Sequence, residues 1–231
     1  MRRFWKEATV AAVDGGWQVA LDGRGVKTQG GNLQVVPAKA LAEALAAEWA
    51  AQGDPINPAQ LVLRDLADFA IDVVAPDRPA ALETLLRYAE TDTLCYRADP
   101  DDALHARQQE LWEPLLAAAE ARWDIRFHRI SGVLHQPLPA PTLARLCRAL
   151  DAENDFTLSA LTTMASLAAS LVVALTALQD GADANALWTA AELEEDWQAE
   201  LWGKDYEAEE RRARRFAAFR AAMGFAGLVR G

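Results

Sequence analysis

From residue 156 to residue 178 the chain carries no charged side chain, and that stretch limits the folds open to it. At about 1.5 Å per residue, a helix of this length reaches across the hydrocarbon core of a bilayer. The same stretch holds Thr157, Ser159, Thr162, Thr163, Ser166, Ser170 and Thr176, lies between Asp155 and Asp180, and has no Lys or Arg anchor. Membrane spans favour basic anchors on their cytoplasmic flank. Small and hydroxyl side chains suit a helix enclosed by other helices. The stretch is therefore predicted as a central core helix, stopped by Gln179-Asp180-Gly181, with no stable membrane insertion. A structural adaptor at a membrane surface is the reading that would use it otherwise.

The rest of the chain supplies partners for such a helix. In the first forty residues Val10, Val13, Trp17, Val19 and Leu21 sit in short runs broken by Asp14-Gly15-Gly16 and Asp22-Gly23-Arg24-Gly25. Asp-Gly between apolar runs is a hairpin signal. Further short strands are expected around 26–28 and 33–36. After Pro37 the period changes: Leu41, Leu45 and Trp49 recur every four residues, which predicts an amphipathic helix ending near Gly53. An extended piece over 54–58 is followed by helical patterns over 66–74, 79–92 and 103–123. Residues 126–134 read as extended, Pro137, Pro139 and Pro141 as a connector, and everything from Thr142 as helix. Hydrophobic residues make up 52% of the chain, many of them alanine, which favours helix. The expectation is an α+β protein with a small β-rich N-terminal domain (1–55, with one helix) and a larger α-helical domain (56–231).

A formal charge of −11 repels phosphate backbones and argues against nucleic acid; it favours a partner with a basic or neutral patch. Cys95 and Cys147 form no CxxC pair and read as buried thiols of a reducing compartment. The N-terminus, Met1-Arg2-Arg3-Phe4-Trp5-Lys6-Glu7, has no apolar signal-peptide core, so the protein is expected to stay where it is made, the cytoplasm if bacterial.

Catalytic signatures are thin. No GxGxxG, GxxxxGK[ST] or GxSxG occurs, and His105, His128 and His135 lack metal-binding spacing. No catalytic residue, metal ligand, cofactor or small-molecule substrate is assigned. The competing enzyme reading is an acidic helical protein with a pocket between its domains, lined by carboxylates such as Asp72, Glu90 or Asp92. The run Arg87-Tyr88-Ala89-Glu90-Thr91-Asp92 reads first as a helix end with internal ion pairs. Glu207–Arg211 and Glu210–Arg214 have the i, i+4 spacing of a solvated, salt-bridged helix face.

Residues 184–203 carry Trp188, Trp197 and Trp202 among acids. Wound as one helix at about 100° per residue, they place Ala186, Ala190, Leu193, Trp197 and Leu201 on one stripe, the natural core face. Trp188, Glu195 and Trp202, spaced by seven, line up on the opposite side. A carboxylate beside indoles is suited to binding a charged protein partner. On spacing alone the plainer reading leads, with both Trp faces in core and Glu195 paired internally.

The order of these segments resembles the assembly chaperones of the F-type ATP synthase α subunit. The likeness begins with Arg3-Phe4-Trp5-Lys6 and the hairpin from Val19 to Thr28. It continues through Ala42-Glu43-Ala44-Leu45-Ala46-Ala47-Glu48-Trp49 and Ala70-Ile71-Asp72. Its most specific parts are the run from Arg87 to Ala98, then Leu193-Glu194-Glu195-Asp196-Trp197-Gln198 closed by Trp202-Gly203. The family has proline where Gln29 stands and often Leu-Ala-Asn-Thr where this chain has Leu66-Ala67-Asp68-Phe69. The resemblance implies a non-catalytic chaperone that binds the free α subunit and covers its β-subunit interface, in the bacterial cytoplasm or, for eukaryotic relatives, the mitochondrial matrix. It implies a functional acid in the Glu194/Glu195 pair, Glu195 being the choice. The expected partner-binding set is Glu195, Glu194, Trp188, Trp202, Asp196 and Gln198.

Overall fold

The computed structural model describes residues 2–132, 135–203 and 205–230. Two compact units are present. The first comprises Met1–Ala80, Asn154–Ala160 and Ala221–Gly231; the second comprises Ala81–Glu153 and Leu161–Arg220. The expected boundary at 55/56 falls inside the first unit.

In the first unit, strands β1 (Ala8–Val13) and β2 (Gly16–Leu21) form an antiparallel hairpin registered from Ala8↔Leu21 to Val13↔Gly16. The Asp-Gly pairs read from the sequence make the turns, with Gly15 at φ 82° and Gly23 at φ 79°. Gly16 is required for a second reason: a Cβ there would sit 2.3 Å from the Val36 carbonyl oxygen. On its other edge β2 pairs with β3 (Arg24–Gly25) and β4 (Val35–Val36). Helix α1 (Lys39–Ala50) covers this sheet with Leu41, Ala42 and Leu45, all essentially buried. Burying each leucine contributes about 1.5–3 kcal/mol.

The strands expected around 26–28 and 33–36 are shorter than the pattern suggested. Only a Lys27↔Leu33 bridge and β4 form, because side chains bind this loop instead. Helix α2 (Val62–Phe69) runs on through a π-helical turn (Ala70–Val74). Asp68 and Asp72 project from these turns. Asp72 accepts from Thr28 Oγ1 (2.7 Å), Gly30 N (2.8 Å) and Asn32 Nδ2 (2.8 Å). Asp68 accepts from Gln34 Nε2 at 2.6 Å and Gln29 N at 3.1 Å. The two departures from the family pattern therefore meet: proline at 29 would have no N–H to donate to residue 68.

The second unit is helical around a two-stranded parallel ribbon, β5 (Tyr96–Arg97) with β6 (Ile130–Ser131). Of the extended stretch expected over 126–134, residues 133 and 134 lie outside the described residues. Helix α3 (Arg78–Glu90) leads into this unit, and α4 (Ala103–Trp123) starts at Asp102, whose Oδ1 accepts from Leu104 N at 2.9 Å. It ends at Asp124 in the left-handed region, as helix C-termini often do. Helices α5 (Ala140–Asp151), α6 (Asp155–Ala168), α7 (Leu171–Ala177), α8 (Ala184–Ala191), α9 (Leu193–Trp202) and α10 (Tyr206–Arg230) follow. Trp112, Leu116, Leu146, Leu150, Leu161 and Phe219 are fully buried in this unit.

The uncharged stretch is largely buried, as expected, but as two helices and not one. Ala169 turns left-handed at φ 47°, and Ser170 Oγ caps α7 by accepting from Val173 N at 3.0 Å. The wholly buried Asp92 accepts from Val172 N at 2.9 Å. Two side-chain acceptors thus take amides that a continuous helix would use. Among the described residues, no helix is long and apolar enough to cross a membrane. Both cysteines are free; Cys95 is buried as expected, while Cys147 is half-buried.

Candidate functional site

The stretch over 184–203 is broken at Glu192, where φ −98° and ψ 11° separate α8 from α9. This corrects the single helix expected there. The physical reason is the Glu192 side chain, which is 3% exposed and turned toward α10. Its Oε1 lies 3.0 Å from Arg215 Nη1, and its Oε2 3.8 Å from Arg212 Nε. Burial, against the pull of Arg215 and with the push of nearby Glu195, raises the Glu192 carboxyl to about 7.

The break resets which faces are buried. Trp188, expected outward, is inside, its ring centroid 5.7 Å from Phe216 and 5.5 Å from Phe219. Ala186 and Leu201, expected in the core stripe, are exposed, while Ala190 and Leu193 are buried as expected. Trp197 is half-buried under the Arg107 guanidinium, 5.3 Å from its ring centre.

The other expected site residues gather on α9. Glu195 keeps a side-chain exposure of 66%, with Arg215 Nη1 3.6 Å away. Glu194 accepts from Gln108 Nε2 at 2.8 Å through one oxygen. Asp196 forms a two-point ion pair with Arg212, one contact being Nη2 to Oδ2 at 2.6 Å. Gln198 is exposed, and Trp202 is 78% exposed at the end of the helix. Gly203, at φ 94°, terminates α9 there. Acids at the start of α9 also suit the positive end of its dipole. The arrangement leaves an indole and carboxylates exposed side by side; among the described residues, it has no nucleophile paired with a base.

Sequence reasoning missed Glu192, Leu201 and Tyr206. Leu201 (58% exposed) lines a groove together with Trp202, and Tyr206 is 75% exposed at the start of α10. The break at Glu192 shifts the helical phase of Leu201 relative to a continuous helix over 184–203 and turns it outward.

Two carboxylates of the enzyme reading, Asp72 and Asp92, have structural partners. Asp72 binds the 28–32 loop, and Asp92 caps α7. Among the described residues, no group of three or more His, Cys, Asp or Glu is placed to hold a metal ion.

Residues 2–120 match the family model described as ATP12 chaperone protein. The chain belongs to that family. As an ATP12 chaperone, it is not an enzyme. The mitochondrial ATP12 protein of Schizosaccharomyces pombe is 25% identical over 221 residues, covering 90% of this chain and 76% of that protein. The crystal structure of Atp12 from Paracoccus denitrificans is similar with a TM-score of 0.92 and 36% identity, over 99% of this chain and 98% of that one. A putative chaperone from Agrobacterium tumefaciens gives 0.93 and 38%, over 98% of this chain and 85% of that one. The ATP12 fold therefore extends through α9, beyond the residues that the family model matches.

Proposed function

We propose that this ATP12 chaperone binds the free α subunit of an F-type ATP synthase through the α9 face and covers its β-subunit interface until assembly. The observation that carries the reading is the pairing of an exposed indole, Trp202, with the exposed carboxylate of Glu195 on one short helix. In this proposal Gln198 and Glu194 flank that pair, Asp196 ties α9 to α10 through Arg212, and Trp188 supports the helix from inside by packing on α10. An unassembled subunit exposes apolar interface that would aggregate, and a reversible cap lowers that exposure. The cap has to yield to the final subunit contact, so a small, partly polar face suits it. The place of action is the compartment of assembly, the bacterial cytoplasm or the mitochondrial matrix of eukaryotic relatives.

The test is capture of purified α subunit by the immobilised chain. Glu195→Lys is expected to keep its melting temperature and lose capture by at least tenfold. Normal capture by a folded Glu195→Lys chain removes Glu195 from the site, and no capture by the unaltered chain refutes the partner.

A further inference from the structure

We infer that a groove beside α9 receives one large apolar side chain of the client, carried next to a lysine or arginine. This deepens the α9 reading and rests on it. The groove has a volume of ≈ 490 Å³, and its walls include Ala98, Leu104, Trp197, Leu201 and Trp202. That is within the range of about 300–1,000 Å³ typical of ligand pockets, with ample room for a Phe or Leu side chain. Two walls, Leu201 and Trp202, are 58% and 78% exposed. Adjacent large apolar side chains left in water mark an interaction surface.

The rim sets the charge of the occupant. Asp102 and Glu194 both line the groove. Each commits one oxygen to the fold: Asp102 Oδ1 caps α4, and Glu194 Oε1 binds Gln108. Among the described residues, Arg97, which also lines the groove, and Arg107 are engaged elsewhere. Arg97, whose side chain is 1% exposed, gives Nη1 to Gln108 O at 2.7 Å and lies 3.3 Å from Glu113. Arg107 pairs with Glu200 at 2.8 Å. An incoming cation therefore meets carboxylates that no described arginine pairs with, while an incoming acid meets repulsion. An apolar slot with an acidic rim selects an apolar residue beside Lys or Arg. A second copy of this chain, with its net charge of −11, is the poorer match.

Ala98→Phe fills the groove and leaves the Glu195 side chain untouched; Leu104→Phe does the same from α4. Both are compared with the unaltered chain in capture of purified α subunit and in melting temperature. The expected result is capture weakened at least tenfold in whichever filled variant melts normally. If filled, folded variants capture normally while Glu195→Lys does not, the groove inference is overturned and the α9 reading stands.

If the unaltered chain captures no α subunit, the partner reading has failed, and the groove is judged by peptides alone. Short peptides with a central Phe-Lys should shift the Trp202 indole resonance, assigned with Trp202→Phe, and central Phe-Glu peptides should not. Equal shifts, or none, overturn the inference. A concentration-dependent dimer abolished by Ala98→Phe would assign the groove to a second copy and overturn it too.

Discussion

Arg215 Nη1 lies 3.0 Å from Oε1 of Glu192, a carboxylate almost wholly shut away from water. The guanidinium does not fully offset the loss of solvent, and the carboxyl rises from 4.5 to about 7. Between those values the folded chain retains a proton that the unfolded chain has released. Stability therefore falls as pH rises through this window, and the loss is complete above about pH 7. Glu192→Gln should show a smaller drop in melting temperature between pH 5 and 7.5 than the unaltered chain. Circular dichroism melts at fixed ionic strength check this; identical pH slopes contradict it.

Asp92 joins elements far apart in sequence. It is 0% exposed and accepts from Leu94 N at 3.1 Å and Val172 N at 2.9 Å. Asp92→Ala leaves both buried amides without this acceptor and should cost about 2–4 kcal/mol in urea unfolding. Burial outweighs those hydrogen bonds and pushes the carboxyl up to about 6. The sign is that of Glu192: stability falls as pH rises from about 4 to about 6. Asp92→Asn should flatten that part of the profile. A loss below 0.5 kcal/mol for the alanine variant would show that the cap is dispensable.

Two tryptophans of one sequence motif should behave oppositely. Trp188 is packed on Phe216 and Phe219, so Trp188→Ala opens a cavity and should cost about 3–5 kcal/mol. Trp202 stands in solvent, and Trp202→Ala should change unfolding by less than about 0.5 kcal/mol while weakening client capture. Denaturant titration of both variants separates them. Comparable losses would contradict the burial difference.

A smaller test concerns the loop held by Asp72. A Cβ on Gly30 would lie 2.8 Å from the Asp72 carboxyl carbon, within the group that Thr28, Gly30 and Asn32 hold in place. Gly30→Ala should destabilise by about 1–3 kcal/mol. Adding Asp72→Ala should then cost less than it does alone, because the two changes share one contact. Strict additivity in a double-mutant cycle would refute that coupling.

The parts legible from sequence are those fixed by neighbouring residues. The Asp-Gly turns and the span of α4 over 103–123 follow from local chemistry; in the structure Asp102 caps the start of that helix and Asp124 turns left-handed at its end. The helix breaks at Ala169-Ser170 and Glu192 were not legible. Each is set by partners remote in the chain, Asp92 for one and Arg212 with Arg215 for the other. The candidate site divides in the same way between local and remote control. Glu195 and Trp202 face outward as geometry on α9 alone dictates, whereas Trp188 answers to Phe216 and Phe219 on α10.

The bend at Ala169 also bears on targeting. At 1.5 Å per residue, α6 is a rod of about 21 Å and α7 one of about 10 Å, neither equal to about 30 Å of lipid tails. A newly made segment of this greasiness resembles a membrane anchor to any machinery that weighs hydropathy. Once a carboxylate and a hydroxyl have claimed the amides beyond the bend, the rod is divided and the resemblance ends. Folding here does the work that a lysine in mid-segment would do elsewhere.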